Sequence, residues 1–459
     1  MSLLTTIQAA RRGIAVASEG INVVAHNTAN AMNENYARRS QVVSSMHPLQ
    51  RGGHWLGQGA KTLYFRRNID IMLEQQLVKT HGEHARFKKA YETTRMLEAR
   101  LADGTSASII ESYDDFMNAL RQMRDDPSDI VFRDQVVMEA EQFTSSVRET
   151  TVFMEDSRKN IRESVEGSLD DVNQKLDTIA EFNKRIRYYG STMAANDLMD
   201  QRDAVIAELS QLVGVQVYFR PDNQATVYID NHAAVLEGFS RHLEYSEDAD
   251  KRPVIAIETD SGHIDITDGL DGVLKGKIDA YDSASSFVDG INLFVDAFGT
   301  QFNTIHSSGH ALGQSSSSGL EFFSLNSTSP GTSFKVNQDI LDDVTLISAA
   351  LSDDIGDSDN LTALIELDLD DSLIASSYTP MQYLSKLYAD VASSAKKAEM
   401  EFEVQDLRMQ DMFELRSSVS GVDLDEEASK LIEYQASYEA ASRVLSTTNQ
   451  MLRDLMNIV

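Results

Sequence analysis

Both ends of this 459-residue chain carry apolar side chains at the spacing of a coiled coil. At the start, two interleaved series recur every seven residues: Leu3, Ala10, Ala17 and Val24, with Ile7, Ile14 and Ile21. At the end, a second set recurs in the same way: Leu424, Leu431, Tyr438, Leu445, Leu452 and Val459, with Tyr434, Ala441 and Leu455 at the alternate position. Steps of four and three residues place these groups on one side of a helix. We therefore predict a helix at each end, with an apolar side that needs a cover.

These two terminal helices are expected to be unstable on their own. Burying six apolar side chains contributes roughly 9–18 kcal/mol, and ordering some 36 residues at about 1–2 kcal/mol each costs more than that. We expect both helices to become ordered when neighbouring copies cover them, which leaves the last helix without a partner inside its own chain. An ordinary intramolecular bundle is the alternative.

The middle of the chain changes character once. Helical periodicity extends over about 73–212, returns at 280–306 and dominates again from 384, whereas 213–268 alternates β-branched residues around the turn Pro221-Asp222-Asn223. The predicted fold is α+β and mainly α, with terminal helices in a coiled-coil layer, a helical-bundle domain and a small inserted β domain. The domains are predicted at 1–35 plus 420–459, at 36–212 plus 270–419, and at 213–269.

Charge and composition exclude several classes of partner. The formal net charge is −31, which argues against nucleic acid. The first 100 residues carry +7, so a basic beginning and an acidic remainder would attract each other. The chain has no cysteine, which excludes disulfides and thiolate metal sites. No apolar run is long enough to predict insertion in a membrane.

Five stretches resemble parts of known chemical sites, but none of them has the pattern that such a site requires. The sequence "GQGAKT" (57–62) lacks the glycines of a phosphate loop. The pairs His81/His84 and His306/His310 lack an acidic third ligand in a known pattern and are expected to face solvent. The acidic stretches 356–360 and 368–371 lack the spacing of a calcium loop. We predict no catalytic site, no cofactor and no metal, and hence no enzyme.

The stretch "INVVAHNTANAMNENYARR" (21–39) resembles the signature of the axial proteins of the bacterial flagellum. The matching residues are Asn27, Asn30, Tyr36 and Arg38. Asn35 stands where that signature has a glycine. Because asparagine is the next-best residue for a left-handed backbone, we expect Asn35 to adopt that conformation.

The final residues narrow the resemblance. The run "SGVDLDEEASKLIEYQASYEAAS" (420–442) resembles the family of hook-associated protein 1 more than hook proteins or flagellins, and "LMDQRDAVIAELSQLVGV" (198–215) agrees with it. Longer members of that family have a further outer β domain between positions equivalent to Phe323 and Gly356. Only about 32 residues separate them here, so that domain is expected to be absent.

This resemblance implies a structural protein that polymerises through its terminal helices and joins hook to filament. Its implied partners are copies of itself, the hook protein, and a second junction protein or filament-side subunits. A flagellar export chaperone is implied on the last helix. The implied location is the extracellular flagellum, reached through the flagellar type III apparatus without a cleaved signal peptide. Another axial protein (hook or second junction protein), a cytoplasmic coiled-coil scaffold and an enzyme on a helical scaffold are the alternatives.

Overall fold

Long helices dominate the chain. The computed structural model describes residues 3–51, 54–102, 108–190, 192–260, 262–354, 356–374 and 377–458. The helices are α1 (Leu3–Ala29), α2 (Ile71–Ala102), α3 (Ile109–Asp125), α4 (Ile130–Tyr189), α5 (Met193–Val213), α6 (Gly272–Ser308), α7 (Pro330–Ser333), α8 (Gln338–Asp342), α9 (Asp359–Glu366), α10 (Pro380–Ser420) and α11 (Leu424–Ile458). Together with the small antiparallel sheets described next, they confirm the expected α+β, mainly α fold.

The strands form small antiparallel sheets. Those outside the central insert are β1 (Arg39–Ser45), β2 (Leu49–Arg51), β3 (His54–Leu56), β4 (Ala60–Arg67), β12 (Phe323–Ser324) and β13 (Lys335–Val336). Those of the insert are β5 (Gln216–Phe219), β6 (Ala225–Ile229), β7 (His232–Leu236), β8 (Phe239–Ser240), β9 (Leu243–Glu247), β10 (Pro253–Thr259) and β11 (Gly262–Asp265). β1 and β4 pair to form a two-stranded ribbon, and β2 pairs with β3.

Local sequence determines where the longest helices begin. The side chain of Asp129 accepts the backbone N–H of Val131 at 2.8 Å, directly after the break at Asp126-Pro127-Ser128. At about 1.5 Å per residue the 60 residues of α4 then extend roughly 90 Å. α10 begins with a capping box between Thr379 and Gln382, with Pro380 in its first turn.

An aromatic core joins α3, α4 and α6. Phe298, which is fully buried, lies with its ring centroid 5.5 Å from those of Tyr113 and Phe294 and 5.7 Å from that of Phe302. The same core includes Phe116, Phe143, Phe322, Phe323 and Phe334. Aromatic side chains therefore pack the irregular segment after α6 onto the helices.

Buried polar groups hold that irregular segment in place. The Arg133 guanidinium, 1% exposed, donates to the carbonyls of Pro127 and Ile347 at 2.8 Å each, and burial lowers its pKa to about 10. His306 is fully buried: its Nε2 accepts the N–H of Ser348 at 3.0 Å and its Nδ1 donates to the Leu320 carbonyl at 2.8 Å. Burial lowers the pKa of His306 to about 4, which keeps the ring neutral near pH 7.

The expectation that the four paired histidines face solvent is therefore wrong for His306. His81, His84 and His310 are half-buried. Two segments, one around Leu320 and one around Ser348, bury His306. Because both lie outside the local pattern around His306, the sequence does not reveal this burial.

The inserted sheets share one core with the helices. Val217, Val227, Ile255 and Ile257 are buried together with residues of α4, α5 and the first turns of α6, such as Leu176. Turns between the strands use positive φ at Asn223 (64°) and Asn231 (63°), where asparagine tolerates a left-handed backbone. The strands lie within the predicted 213–269, although their inner faces belong to the same core as the helices.

Replacing Phe298 with alanine should lower the free energy of unfolding by about 3–5 kcal/mol, because the aromatic core cannot close over the space left behind. The denaturation midpoint in urea, followed by circular dichroism, measures this loss. Phe239→Ala is the matched control: Phe239 is 77% exposed, and its removal should change stability by no more than about 0.5 kcal/mol. Equal effects of the two changes would contradict this account of the core.

Candidate assembly interface

The first and last helices pack against each other in opposite directions. Three pairs of positions define the register. A Cβ on Gly13 would lie 3.4 Å from the Cβ of Ala441, a Cβ on Gly20 would lie 2.5 Å from the Tyr434 ring, and Asn27 hydrogen-bonds Glu427. Each step is seven residues on both helices, as in an antiparallel coiled coil.

Glycine at position 20 is required by this packing. A side chain there would overlap the Tyr434 ring, since real Cβ atoms do not approach other heavy atoms to 2.5 Å. The sequence analysis missed Gly13, Gly20 and Glu427, because it searched only for apolar residues. Their heptad spacing with Asn27 was the signal that could have revealed them.

The predicted N-terminal interface residues lie along one side of α1. Ala10, Ala17 and Val24 are buried, and Leu3, Ile7, Ile14 and Ile21 are half-buried. Within α11, Leu431, Tyr434, Leu445 and Leu452 are half-buried. The expectation that the last helix lacks a partner within the chain is therefore wrong, because α1 covers one side of it.

Three predicted residues of the last helix remain exposed. Leu424 is 55% exposed, Tyr438 42% and Leu455 54%, whereas Val459 lies outside the described residues. The antiparallel register explains two of them: Leu424 is opposite the point where α1 has already ended, and Leu455 is beyond the position that faces Leu3.

Asn27 links the ends of the chain through four hydrogen bonds. Its side-chain N–H groups donate to Glu427 Oε2 and to the Arg39 carbonyl, each at 3.0 Å. Its Oδ1 accepts the Arg39 N–H at 3.0 Å and the Tyr36 hydroxyl at 2.7 Å. Asn27 is 1% exposed, so its full hydrogen-bonding capacity is used inside the protein.

Tyr36 and Asn30 close the turn after α1. Tyr36 is buried under the Arg39 guanidinium, which lies 5.0 Å from the ring centroid, and burial raises the pKa of its hydroxyl. The Asn30 amide donates to the His26 carbonyl at 2.9 Å, which satisfies a carbonyl at the helix end. These two residues of the signature therefore shape the backbone between α1 and β1.

Asn35 does not have the left-handed backbone that we expected. Among the described residues, positive φ at a non-glycine position occurs only between 223 and 251. The turn is built instead by Asn33, whose side chain accepts the Asn35 N–H at 3.1 Å and whose carbonyl accepts the Tyr36 N–H at 3.0 Å. Because an Asx turn at Asn33 redirects the chain, position 35 needs no special conformation.

Arg38 joins this turn to the start of α11. Its Nη2 lies 2.7 Å from Glu426 and 2.8 Å from Glu427, and its backbone N–H donates to the Ser420 carbonyl at 3.0 Å. The hydrogen bond from Arg38, assisted by Lys430, lowers the pKa of Glu426 to about 2. Glu427 is 1% exposed and receives both Arg38 and Asn27, so a buried carboxylate fixes where α11 begins.

A second group of charges anchors the ribbon to α5. Arg39 contacts Asp200 at 2.8 Å and Asp197 at 2.6 Å, and Arg67 contacts Asp200 at 2.9 Å and Asp203 at 2.7 Å. Burial raises the pKa of Asp200, and the two arginines offset only part of that rise. The sequence analysis quoted 198–215 as a landmark without recognising that its aspartates bind Arg39 and Arg67, which lie opposite each other at one end of the ribbon.

The described residues contain no cluster of three or more His, Asp or Glu side chains that could hold a metal ion. In the same part of the chain, no helix is both long and apolar enough to cross a membrane. The polar groups around Asn27, Arg38 and Asp200 pair with one another, although they are distant along the chain. This arrangement fixes the positions of the two terminal helices relative to the ribbon and to α5.

Asn27→Ala should loosen the attachment of α11 by about 2–3 kcal/mol, because Glu427 would lose a buried hydrogen bond. Hydrogen exchange of amides in the first turns of α11 measures the loss. Asn22→Ala, an exposed position on α1, should change that exchange little. Unchanged protection of α11 in Asn27→Ala would contradict the role assigned to Asn27.

The ion pair of Glu426 predicts a dependence on pH. Because the pKa of Glu426 falls from 4.5 to about 2 on folding, the pair stabilises the start of α11 above about pH 4.5 and is lost as pH falls towards 2. Protection of residues 424–430 from hydrogen exchange should fall over that range, after correction for intrinsic rates. Glu426→Gln should show a smaller fall, and an equal fall in both proteins would disprove the assignment.

Two family models match different parts of the chain. A family model described as the flagellar hook-associated protein FlgK helical domain matches residues 94–323, half of the chain. A second, described as the flagellar basal body rod FlgEFG protein C-terminal, matches residues 416–458, which include α11.

The similar proteins align with this chain over almost their whole length. Flagellar hook-associated protein 1 of Salmonella typhimurium and that of Escherichia coli K12 are each 22% identical, with 98% of this chain and 99% of the relative aligned. The protein of the same name from Bacillus subtilis is 22% identical over 98% of this chain and 97% of its own length. The Salmonella alignment occupies 554 positions, 95 more than this chain has residues, as expected if a segment is absent here.

A solved structure, the flagellar hook junction protein FlgK from Burkholderia pseudomallei, has a similar fold. The TM-score is 0.63 at 12% identity, with 75% of this chain and all of that chain covered. Because the family model of the FlgK helical domain matches half of the sequence, the chain belongs to the flagellar hook-associated protein FlgK family.

Proposed function

We propose that this protein is a structural subunit that joins the hook of the bacterial flagellum to its filament and polymerises through the paired helices α1 and α11. The names of its relatives, hook-associated protein 1 and hook junction protein, support the place in the flagellum. The observation that carries the assembly mechanism is that α11 has a covered side against α1 and an uncovered apolar side.

The uncovered side of α11 has the composition of a contact surface. Its exposed apolar side chains away from the α1 side are Ile432, Val444 and Met451. Leu424, Tyr438 and Leu455 are exposed at heptad positions of the α1 side, and Met456 is exposed near the end of the helix. Val444 and Met451 are one heptad apart, so they lie on the same side of the helix. Apolar groups concentrated in this way are typical of interfaces between proteins.

The predicted assembly residues fit this role at two levels. The interface residues of α1, together with Leu431, Tyr434, Leu445 and Leu452, would hold the helix pair together within a copy. Asn27, Tyr36 and Arg38 would set the pair at a fixed angle to the ribbon through their buried hydrogen bonds. The resulting rod of two helices is the part we propose to line up with rods of other copies.

The specific partners remain proposals. We infer contacts with other copies, with the hook protein on one side, and with a second junction protein or filament subunits on the other. The predicted division into 1–35 plus 420–459, 36–212 plus 270–419, and 213–269 would place the β domain outermost.

Export without a cleaved signal through the flagellar type III apparatus belongs to the same proposal, with a chaperone that covers the apolar side of residues 424–459. Affinity purification from cells that cannot export should recover that chaperone with the full chain. A chain ending at Asp423 should not recover it, and recovery with both chains would place the chaperone elsewhere.

The alternative functions have less support. A hook protein or second junction protein would not be expected to match the FlgK helical domain over residues 94–323. A cytoplasmic scaffold or an enzyme has no support among the relatives, which are flagellar components.

The direct test is deletion of the gene: cells should keep their hooks and release unpolymerised filament protein. Mutant cells with normal filaments would exclude the proposed function.

Val444→Asp combined with Met451→Asp should abolish incorporation into the junction, because two carboxylates on the uncovered side cannot be buried between copies. The monomer should keep its fold, since neither side chain is covered by α1. Swimming and the amount of chain on isolated hooks measure incorporation, and circular dichroism measures the fold.

Ser446→Asp combined with Gln450→Asp adds the same charge at exposed polar positions and serves as the matched control. It should leave motility intact. Normal motility of the Val444/Met451 variant would show that this side of α11 is not an assembly surface.

A further inference from the structure

The ribbon of β1 and β4 has one uncovered face that is both basic and apolar. Lys61 and Arg66 are exposed at its ends, with Leu63 (51% exposed) and Tyr64 (41% exposed) between them. These four side chains share a face because the pairing shifts register at Leu63, where Tyr64 lies opposite Val42 and Thr62 opposite Val43. We name these four residues the ribbon face. Neither cation forms an ion pair with a described residue within 4.0 Å. From residue 35 to residue 69 the sequence has six Lys or Arg and no Asp or Glu.

The opposite face of the ribbon is already occupied. Gln41 donates to the Val16 carbonyl of α1 at 3.0 Å, and a Cβ on Gly59 would lie 3.2 Å from the Cα of Ala9. An isolated two-stranded sheet is marginally stable in water, and packing against α1 on one face stabilises this ribbon. The ribbon face is free within the chain, and a cover over Leu63 and Tyr64 would remove apolar surface from water.

A second uncovered face lies on α10 and has the opposite charge. Its apolar side chains are Met400 (57% exposed), Val404 (58%), Leu407 (64%) and Leu415 (49%), spaced for one side of the helix. Glu403, Asp411 and Glu414 are exposed beside them and form no ion pair with a described residue. We name these seven residues the α10 face. Between 398 and 415 the helix carries six carboxylates and one arginine, Arg408, which pairs with Glu83 at 2.8 Å.

The two faces carry opposite charges, and both expose apolar side chains over a similar length. Lys61 and Arg66 are five strand residues apart, about 17 Å. Glu403 and Glu414 are eleven helical residues apart, also about 17 Å. Leu63 and Tyr64 lie between the two cations of the ribbon face, and Val404 and Leu407 lie between Glu403 and Glu414 on the α10 face.

We propose that, in the assembled junction, the ribbon face of one copy binds the α10 face of a second copy. The contact rests on the proposed function, because it needs copies that assemble on a hook. Both faces stay exposed in a single chain, so the contact forms between chains. Two different faces that bind each other make a head-to-tail contact, which can continue around a helical assembly. The second copy is favoured as the occupant because the same chain supplies the complementary charge.

The absence of cysteine makes cross-linking unambiguous. Two single-cysteine variants, Leu63→Cys and Leu407→Cys, are co-expressed in cells that lack the native gene, and isolated hooks with attached junctions are treated with a short bis-maleimide. We expect a dimer that joins residue 63 of one copy to residue 407 of another. Either variant alone should give no dimer, and Leu63→Cys with Leu293→Cys, which is exposed on α6, should give none.

Charge reversal tests the same contact without cysteines. Lys61→Glu with Arg66→Glu should lower the amount of chain retained on isolated hooks at least tenfold. Adding Glu403→Lys and Glu414→Lys to that variant should restore at least half of it. Each variant alone would bring like charges together, whereas the fourfold variant brings opposite charges together again.

Three results would overturn the contact. Junctions that contain both cysteine variants but give no 63–407 dimer would exclude it. A cross-link from residue 63 to a hook subunit would assign the ribbon face to a different partner. Retention of the fourfold variant no better than that of the Lys61/Arg66 variant would exclude the charge pairing. If the unaltered chain itself is absent from isolated hooks, the proposed function fails first, and this contact fails with it.

Discussion

The hydrogen bond between Asn27 and Glu427 joins residues 400 positions apart and determines how the two ends of the chain meet. Glu427 is buried, and an isolated buried carboxylate is costly, so α11 can begin at this place only while Asn27 and Arg38 supply their N–H groups. Asn27 in turn receives the Tyr36 hydroxyl and the Arg39 backbone. The position of α1, the turn after it, the ribbon and the start of α11 are thus fixed by one set of mutually dependent hydrogen bonds.

Buried charges continue this arrangement into the helical domain. Arg39 and Arg67, which lie opposite each other at one end of the ribbon, share Asp200 of α5. Breaking one partner of such a group leaves an unpaired buried charge, so the group favours a single geometry more than it adds net stability. This geometry suits a subunit whose terminal helices must keep one orientation while neighbouring copies pack against them.

The helices α1 and α11 cover each other on one side and leave other apolar side chains exposed. Gly13 and Gly20 let α11 approach α1 closely, which covers one side of each helix. Away from the α1 side, Val444 and Met451 of α11 are in water. In the assembly that we propose, folding within the chain and contact between chains would use different sides of the same helix. The ribbon and α10 show the same feature, because each buries one face within the chain and leaves another face exposed.

The sequence by itself determined the helices, the inserted strands, the family resemblance and the apolar sides of α1 and α11, because apolar periodicity and turn residues act over a few neighbouring positions. Only the tertiary structure decided that α1 is the partner of α11, that His306 is buried, that the chain turns at Asn33 with no left-handed residue at Asn35, and that Asp200 joins the paired strand ends at Arg39 and Arg67. Each of these depends on groups distant along the chain. Burial and charge pairing are set by which segments meet in space, and a local pattern does not record that.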